Sequence, residues 1–570
     1  MSLSSYETPR GNLEPFAPKA GLACTSCRRQ KRKCDKGLPG CGLCVRMGRS
    51  CDYSAPSSTP TADDFNALRL QLQELENRLN GSNASSVHTG QPPYTSASTL
   101  ATTNGSGAPP VYIQHDPAFT NVQNRFPVIA FIDSEAFRYG QISIPKPNVE
   151  IPVEVLGILG DAPAVQAVIS DFFASVHVWM PIISKKRMSR NMVNPMWEAG
   201  PDLVLLFLCM KLVMTRPQEG FETAQNSTYM AAKRFLLLTE LSGMTSLLVL
   251  QSYILTCLYE MEQAIYPGAW MTAGTCVKYG LLLGINEHPD VPKLLGRPST
   301  WIELEERERT WWAVLIIDRI VSLGGQGRFF ASQDPDVSAP LPVDTISWDE
   351  GEMVAALPLG TSSSIAEPRS PFARLCQASI LLGKILRHHY SPLQPEIHQF
   401  QHASELYLEA STMARLLTKE AEESFDEYLV HTAPLAVCLS ALSALCDPYA
   451  CIEHRSSEPS SGEGAAMQAR AVEGIRSVSA SVKEMSEQIV TRATHSLDID
   501  TISPFIFDAL YVAAANFAWL VRENGDEACA QSLDTLRHCL RRLGGRFGVS
   551  LSVLRILEAQ EFTYAVERPL

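Results

Sequence analysis

Six cysteines, Cys24, Cys27, Cys34, Cys41, Cys44 and Cys51, fall within 28 residues. The second three repeat the first three at a constant offset of seventeen, each set being C-x-x-C followed by six residues and a third cysteine. Thiolates at such spacing are zinc ligands, and one tetrahedral zinc takes four of them. Six thiolates could saturate one zinc and leave two over, or serve two zincs by sharing. Two zincs need eight bonds, which four terminal and two bridging sulfurs supply with nothing left over. The repeat makes the equivalent first cysteines, Cys24 and Cys41, the natural bridges, and two Zn2+ per chain the expected cofactor. Six thiolates and two Zn2+ leave only two negative charges, which the surrounding Lys and Arg more than offset.

A disulfide framework would need an oxidising compartment. The N-terminal residues, MSLSSYETPRGNLEPF, show no apolar stretch of the signal-peptide kind. A zinc module of the RING or PHD kind would normally include a histidine, and residues 1–80 contain none. Between Cys27 and Cys34 runs RRQKRK, with Arg28, Arg29, Lys31, Arg32 and Lys33, whereas the matching gap VRMGRS holds only Arg46 and Arg49. The first half is therefore the expected DNA-facing half. Some of its cations would neutralise phosphates, and one or two would reach a guanine edge, where O6 and N7 accept Lys or Arg. A nuclear-localisation tract is the plainer reading of the same run. Metal ligands on either side hold these residues rigid, which favours DNA contact.

The stretch ACTSCRRQKRKCDKGLPGCGLCVRMGRSCDYS closely resembles the fungal binuclear zinc cluster transcription factors: six cysteines, the basic run, and Pro39 two positions before the fourth cysteine. In that family a lysine four residues after the second cysteine reads a CGG triplet in the major groove, which the resemblance carries onto Lys31. Three further stretches resemble the family's middle homology region over roughly 165–345. They are FFASVHVWMPIIS (Phe172–Ser184), GAWMTAGTCVKYGLLLGI (Gly268–Ile285) and ERERTWWAVLIIDRIVSLGGQGRFF (Glu306–Phe330). The resemblance thins out beyond about residue 345. It implies a nuclear, RNA polymerase II-type transcription factor, an activator of a dedicated gene set (secondary-metabolite genes among the candidates), binding CGG-type half-sites. A repressor of the same class, or a zinc adaptor without DNA-reading activity, are the alternatives.

Elsewhere the residues offer little chemistry, and no catalytic residue is assigned. GGQGR at 324–328 follows a helical run rather than a strand, so it is a helix-ending turn rather than a phosphate loop. His398 and His402 stand at i, i+4, but HQFQH lacks the glutamate of a zinc-protease helix, leaving a solvated or packed face. Trp311–Trp312 reads as core packing and Asp318–Arg319 as a charged helix face. EAEESFDE at 420–427 has an acidic-hydrophobic character but also reads as a charged face.

These residues need a scaffold, and 570 residues allow a small module plus a large core. The formal charge is −13, yet residues 21–53 carry eight Lys/Arg against two Asp/Glu, leaving −19 on the remainder. A basic head on an acidic body suits a partner that touches only the head, here double-stranded DNA. The longest apolar run, around Leu203 to Met214, is interrupted by Lys211 and is too short to span a bilayer; no membrane is expected. The nine cysteines outside the cluster, such as Cys209, Cys257 and Cys376, read as small core residues.

The expected organisation is a zinc-cluster DNA-binding domain at 21–54, a short coiled-coil dimerisation element at 62–80 and a flexible linker at 81–150. A middle helical region at 151–345 and a C-terminal helical region at 346–570, with an activation function toward the transcription machinery, follow. The fold class is thus a small zinc-stabilised module plus short coiled coil, then a large all-α regulatory domain. Phe65, Leu68, Leu72, Leu75 and Leu79 alternate as a and d positions, and Asp64 at g would pair with Arg69 at e of a second copy, predicting a homodimer. Helices are predicted at Tyr229–Leu241, Leu247–Gln263, Phe372–His388, Glu405–Thr418 and Pro504–Val521. Loops are predicted at Pro289–Pro298, Pro335–Pro342 and Ser456–Gly464.

Overall fold

The computed structural model describes residues 20–53 apart from 21, 30 and 31, and residues 126–567 with breaks at 141–143, 192–199, 219, 221, 287–293, 325–327, 357–368, 391–395, 425–426 and 451–461. The expected coiled coil at 62–80 and most of the expected linker lie outside the described residues. The chain divides into two compact units, Met1–Pro109 and Pro110–Leu570. Among the described residues every regular element is a helix and no strand forms.

In the larger unit the five predicted helices are present with shifted ends: Ser227–Leu241, Pro371–Tyr390 and Glu396–Glu423 run longer than predicted, Leu247–Glu262 stops one residue short, and Phe507–Asn524 ends later but is led in by a short 3-10 turn at Pro504–Ile506. Local capping explains several boundaries. Asn226 accepts the backbone N–H groups of Thr228 and Tyr229, Ser246 accepts that of Val249, and Thr300 accepts that of Glu303, satisfying donors that a helix start leaves unpaired. The helix Gly268–Leu283 stops at Gly284, whose φ of 69° is the left-handed cap that a side chain would oppose.

Two helices carry the core. In Leu247–Glu262 every residue but Leu248 is buried, and it packs between Pro201–Val213 and Gly268–Leu283. Tyr428–Ala450, flanked by Pro371–Tyr390, Glu396–Glu423 and Gly462–Arg492, is buried along most of its length despite Pro434 and Pro448. Tyr428–Ala450 and Pro504–Asn524 are long and apolar enough by composition to cross a membrane. However, 83% of the first one's most apolar window and 50% of the second's is buried inside the protein, so core packing accounts for much of that apolarity.

Three expectations shift. A single buried cluster runs from Val155 to Leu557, so residue 345 divides no core. The end of the expected linker carries short helices at Ile129–Ile132 and Ser134–Tyr139, with Phe126 against Gly243 and the partly buried Val149 against the core. The predicted loop Ser456–Gly464 ends early, because the helix Gly462–Arg492 begins there with Glu463 in its first turn, where a negative charge suits the helix dipole.

Charged residues of the helix Trp301–Ile320 are buried rather than displayed, which overturns the reading of Asp318–Arg319 as a charged face. Asp318 accepts the N–H groups of Ala331 (2.9 Å) and Ser332 (2.7 Å), while Arg319 donates to Asp334 (2.6 Å). Trp312 Nε1 donates to the Pro340 carbonyl (3.0 Å), and Arg309 donates to the Val343 carbonyl (2.6 Å) and pairs with Glu305 (2.7 Å). Asp318, Trp312, Arg309 and Glu305 sit inside because they satisfy backbone groups of the segment 331–343, while Arg319 is paired with the Asp334 side chain there.

A second buried pair joins distant parts of the chain. Arg546 meets Glu262 at 3.0 Å, Asp500 at 3.1 Å and the Val213 carbonyl at 2.7 Å. Burial pushes the Glu262 carboxyl up to about 7 even beside that guanidinium. Removing one partner of such a pair strands the other without solvent. Arg546→Met should therefore cost about 3–5 kcal/mol of stability, with Arg546→Met/Glu262→Gln recovering much of it. Urea unfolding of the full chain followed by far-UV circular dichroism checks this, and equal midpoints for Arg546→Met and wild type would refute it.

Candidate metal centre and basic run

Among its described residues the smaller unit has two five-residue helices, Thr25–Arg29 and Gly42–Arg46. Each begins directly after a first cysteine of the repeat, so the seventeen-residue offset of the ligands is also the offset of the helices. Neither helix could persist alone at that length. Cross-ties hold the loops instead. Thr25 N–H donates to the Asp52 carbonyl (2.7 Å) and Ser26 Oγ to the Ser50 carbonyl (3.2 Å). Ala20 N–H donates to the Lys36 carbonyl (2.9 Å), and Tyr53 Oη to the Gly37 carbonyl (2.7 Å).

Asp35 and Tyr53 escaped the sequence reading. The Asp35 carboxylate accepts Gly42 N–H at 2.9 and 3.1 Å, placing negative charge on the N-terminus of Gly42–Arg46. A side chain at Gly42 would put its Cβ 2.7 Å from that carboxylate, so the contact needs glycine there. The available signal was an aspartate directly after a ligand and a glycine opening the next helix.

All six cysteine sulfurs converge. Cys24, Cys27, Cys41 and Cys44 are buried, Cys34 and Cys51 partly so. The sulfurs form two sets of four, Cys24–Cys27–Cys34–Cys41 and Cys24–Cys41–Cys44–Cys51, each with its atoms within 4.8 Å of one another. Both sets contain Cys24 and Cys41, the two positions expected as bridges. Sulfur separations are 3.8 Å for Cys24–Cys41, 3.7 Å for Cys24–Cys44 and 3.7 Å for Cys27–Cys41. A tetrahedron with Zn–S near ~2.3 Å has edges of about 3.8 Å, so the donor set fits two zinc ions.

The thiols are shifted in both directions, Cys34 being lowered to about 7 and Cys51 lowered as well by backbone N–H donors. Burial pushes the Cys27 thiol well above its ordinary range, and the Cys41 sulfur beside it raises Cys44 to about 12. Two Zn2+ supply the charge that keeps such crowded sulfurs as thiolates, and metal binding releases their protons. Cys41 N–H donates to the Cys51 sulfur (3.2 Å) and Cys44 N–H to the Cys41 sulfur (3.4 Å), fixing the direction of those sulfurs.

Of the basic run, Arg28 and Arg29 lie in the helix Thr25–Arg29, Lys31 falls outside the described residues, and Arg32 and Lys33 are exposed immediately before Cys34. Arg32 N–H donates to the Cys27 carbonyl (2.9 Å), tying the run back to a ligand.

The remaining candidates resolve into packing. His402 Nδ1 lies 3.0 Å from Nδ1 of His388 on another helix, and His388 Nε2 lies 2.6 Å from Tyr449 Oη; nothing is described of the His398 side chain. Among the described residues, only the two cysteine sets gather three or more metal-ligand atoms. Glu420 of the acidic stretch receives the buried guanidinium of Arg374. Gly324 of GGQGR lies in the turn that follows Trp301–Ile320, at φ 69°.

Sharing of Cys24 and Cys41 predicts a graded loss of metal. The wild-type chain should carry two zincs. Cys24→Ala or Cys41→Ala should lose both, and Cys34→Ala should chiefly damage one. Elemental analysis of purified protein reads this out, and one zinc per wild-type chain would refute the shared-ligand centre.

The sequence matches the fungal Zn(2)-Cys(6) binuclear cluster domain over residues 22–60 and the fungal specific transcription factor domain over residues 169–423. The second match runs on to residue 423, beyond residue 345, where the resemblance to the quoted stretches thins out. Transcription factor BOA15 of Botryotinia fuckeliana (strain B05.10) is 36% identical over 179 residues, covering 31% of this chain and 97% of that protein. The citrinin biosynthesis transcriptional activator mrl3 of Monascus ruber is 24% identical over 410 residues, 68% of this chain and 76% of the relative. The azaphilone cluster-specific transcription factor azaR of Aspergillus niger (strain ATCC 1015) is 23% identical over 387 residues, 65% of this chain and 72% of the relative. These families and relatives are transcription factors, not enzymes. The chain belongs to the fungal transcription factors that join a zinc-binding, DNA-binding Zn(2)-Cys(6) cluster to a fungal specific helical domain.

Proposed function

We propose that this chain acts in the nucleus as a homodimeric activator of a dedicated secondary-metabolite gene set, reading CGG half-sites through the first half of its cluster. The observation that carries the reading is the anchoring of the basic run Arg28–Lys33 between two ligands of one metal set, Cys27 and Cys34. Anchored cations keep a fixed register against the duplex, which reading a base edge requires and mere charge neutralisation does not. Activation and a metabolic target are supported by relatives named for citrinin and azaphilone gene sets.

Positioning and reading separate by residue. Lys31 is the proposed reader, and Arg28, Arg29, Arg32 and Lys33 the phosphate contacts. Lys31→Ala should cost about 1–3 kcal/mol on the specific site and relax the preference for the guanines. Arg28→Ala or Arg29→Ala should weaken specific and random duplex alike and flatten the salt dependence. Binding-site selection with the full chain checks this; a Lys31→Ala protein that still selects the same guanines assigns the reading elsewhere. A reporter whose transcription falls when the chain is expressed would mark a repressor.

The dimer is proposed to be held in register by the heptad at 65–79, with residues 52–64 as the tether. That tether is thirteen residues long and includes Pro56 and Pro60. Extended, it spans at most ~3.3–3.6 Å per residue, enough for two clusters to straddle a turn of DNA. Its prolines restrict φ and resist compression. Half-site spacing should therefore show a marked optimum that moves when residues are inserted between Ser54 and Thr61 and flattens in Leu72→Pro. Gel shifts on half-sites at varied separations test this, and equal affinity at every separation for the wild type would remove 65–79 from the mechanism.

A further inference from the structure

Between the helices Gly268–Leu283 and Trp301–Ile320 and the segment 331–340 lies a groove of about 970 Å³. Small-molecule sites run to ~300–1,000 Å³, with apolar walls and a few placed polar groups, and this groove has that make-up. Val277, Leu281 and Ile285 line it from the first helix and the residues just after it. Trp311 lines it from the second helix, and Pro335 and Pro340 from the segment.

The walls are fixed before anything binds. Asp318 anchors one end of the segment by accepting the N–H groups of Ala331 and Ser332. Trp312 Nε1 anchors the other by donating to the Pro340 carbonyl. The partly buried Trp311 ring rests on Gly280, where a Cβ would lie 2.7 Å from its Cζ3 and 2.9 Å from its Cε3. Glycine inside a helix is unfavourable, and here it gives the indole its place.

One polar atom of the lining lacks a partner. Asn286 stands in the groove wall, and its Oδ1 is buried without a hydrogen bond. Buried acceptors are nearly always paired, and leaving one bare costs the full desolvation of the group. A donor carried in by a bound molecule would remove that cost. The charged groups do not favour an ionic ligand. Glu308, Asp334 and Asp336 face one lysine, Lys278, across the lining, a balance that opposes an anion. Asp334 already accepts from Arg319 (2.6 Å) and Arg387. Ser338 donates its N–H (2.8 Å) and hydroxyl (2.6 Å) to Asp336, so both acids of the segment are engaged by donors of the chain itself.

We infer that this groove binds a neutral, flat aromatic molecule that lies against Trp311 and donates a hydroxyl or N–H hydrogen bond to Asn286 Oδ1. The indole face and the prolines select the flat ring, and the bare acceptor selects the donor. The site belongs to the helical body and its test uses no DNA, so it stands or falls apart from the reading of CGG half-sites.

The test is isothermal titration calorimetry of the zinc-loaded full chain with three coumarins, in slightly acidic buffer that keeps a phenol neutral. 7-Hydroxycoumarin should bind with a Kd of about 100 µM or tighter, within reach of so small a ligand. 7-Methoxycoumarin, equally flat but without a donor, should bind about three- to tenfold more weakly. Coumarin-3-carboxylate, an anion, should bind more weakly than either. Asn286→Leu should erase the difference between the hydroxyl and methoxyl probes. Trp311→Ala should weaken both by about tenfold. Gly280→Ala, which displaces the ring without removing it, should act in the same direction and keeps the test open where Trp311→Ala does not fold. Absence of 7-hydroxycoumarin binding to the wild type, or equal affinity for the methoxyl probe, would overturn the inference. So would tighter binding of the carboxylate, or Asn286→Leu and Gly280→Ala proteins that bind as the wild type does.

Discussion

Two sulfur atoms, those of Cys24 and Cys41, belong to both metal sets at once, and the architecture of the N-terminal module depends on that sharing. A segment of some thirty residues cannot bury enough apolar surface to fold by itself. Its buried centre consists of cysteines, with Leu43 and Tyr53 packed against them. Metal bonds therefore replace a hydrophobic core, and folding free energy is metal-binding free energy. Sharing two ligands also fuses what would be two loosely linked loops into one body. The helices Thr25–Arg29 and Gly42–Arg46 are each started by a bridging residue, so their placement follows from the metal geometry rather than from their own propensity.

The same constraint gives the basic run its use. Lys and Arg on a free tail would bind any duplex through counterion release and discriminate poorly. Between Cys27 and Cys34 the backbone is fixed at both ends, and the cations are concentrated on one half of a pseudo-symmetric module. In the proposed function that asymmetry sets the half that faces the groove apart from the half that supports it.

The helical body is organised by a different principle. Several of its charged residues are used internally, as backbone or ion-pair partners for distant parts of the chain. The helix Trp301–Ile320 holds the segment 331–343 through Arg309, Trp312, Asp318 and Arg319. Arg546 joins the helix Leu247–Glu262 to the C-terminal helices. This explains why the cluster of buried residues is continuous to Leu557 and why no boundary appears at 345. The metal centre was legible in the sequence because ligand type, count and spacing are local quantities. The helices Leu247–Glu262 and Pro371–Tyr390 were legible because apolar residues dominate them. Three things were not. Burial of Asp318 and Arg319 depends on acceptors and donors found only after folding. Pro434 and Pro448 signal breaks, yet Tyr428–Ala450 keeps its helix because packing on three neighbours outweighs two lost hydrogen bonds. The tie from Asp35 to Gly42 spans seven residues of loop that no periodicity describes.

In the proposed function the shared-sulfur centre delivers this chain to a small set of chosen promoters. Chromatin occupancy mapped in the native host for wild type and for Cys24→Ala tests it most directly. Wild-type peaks should lie over CGG-bearing sites confined to one metabolic gene set, all lost in Cys24→Ala at equal protein level. Peaks that persist without Cys24, or that show no shared CGG element, would contradict it.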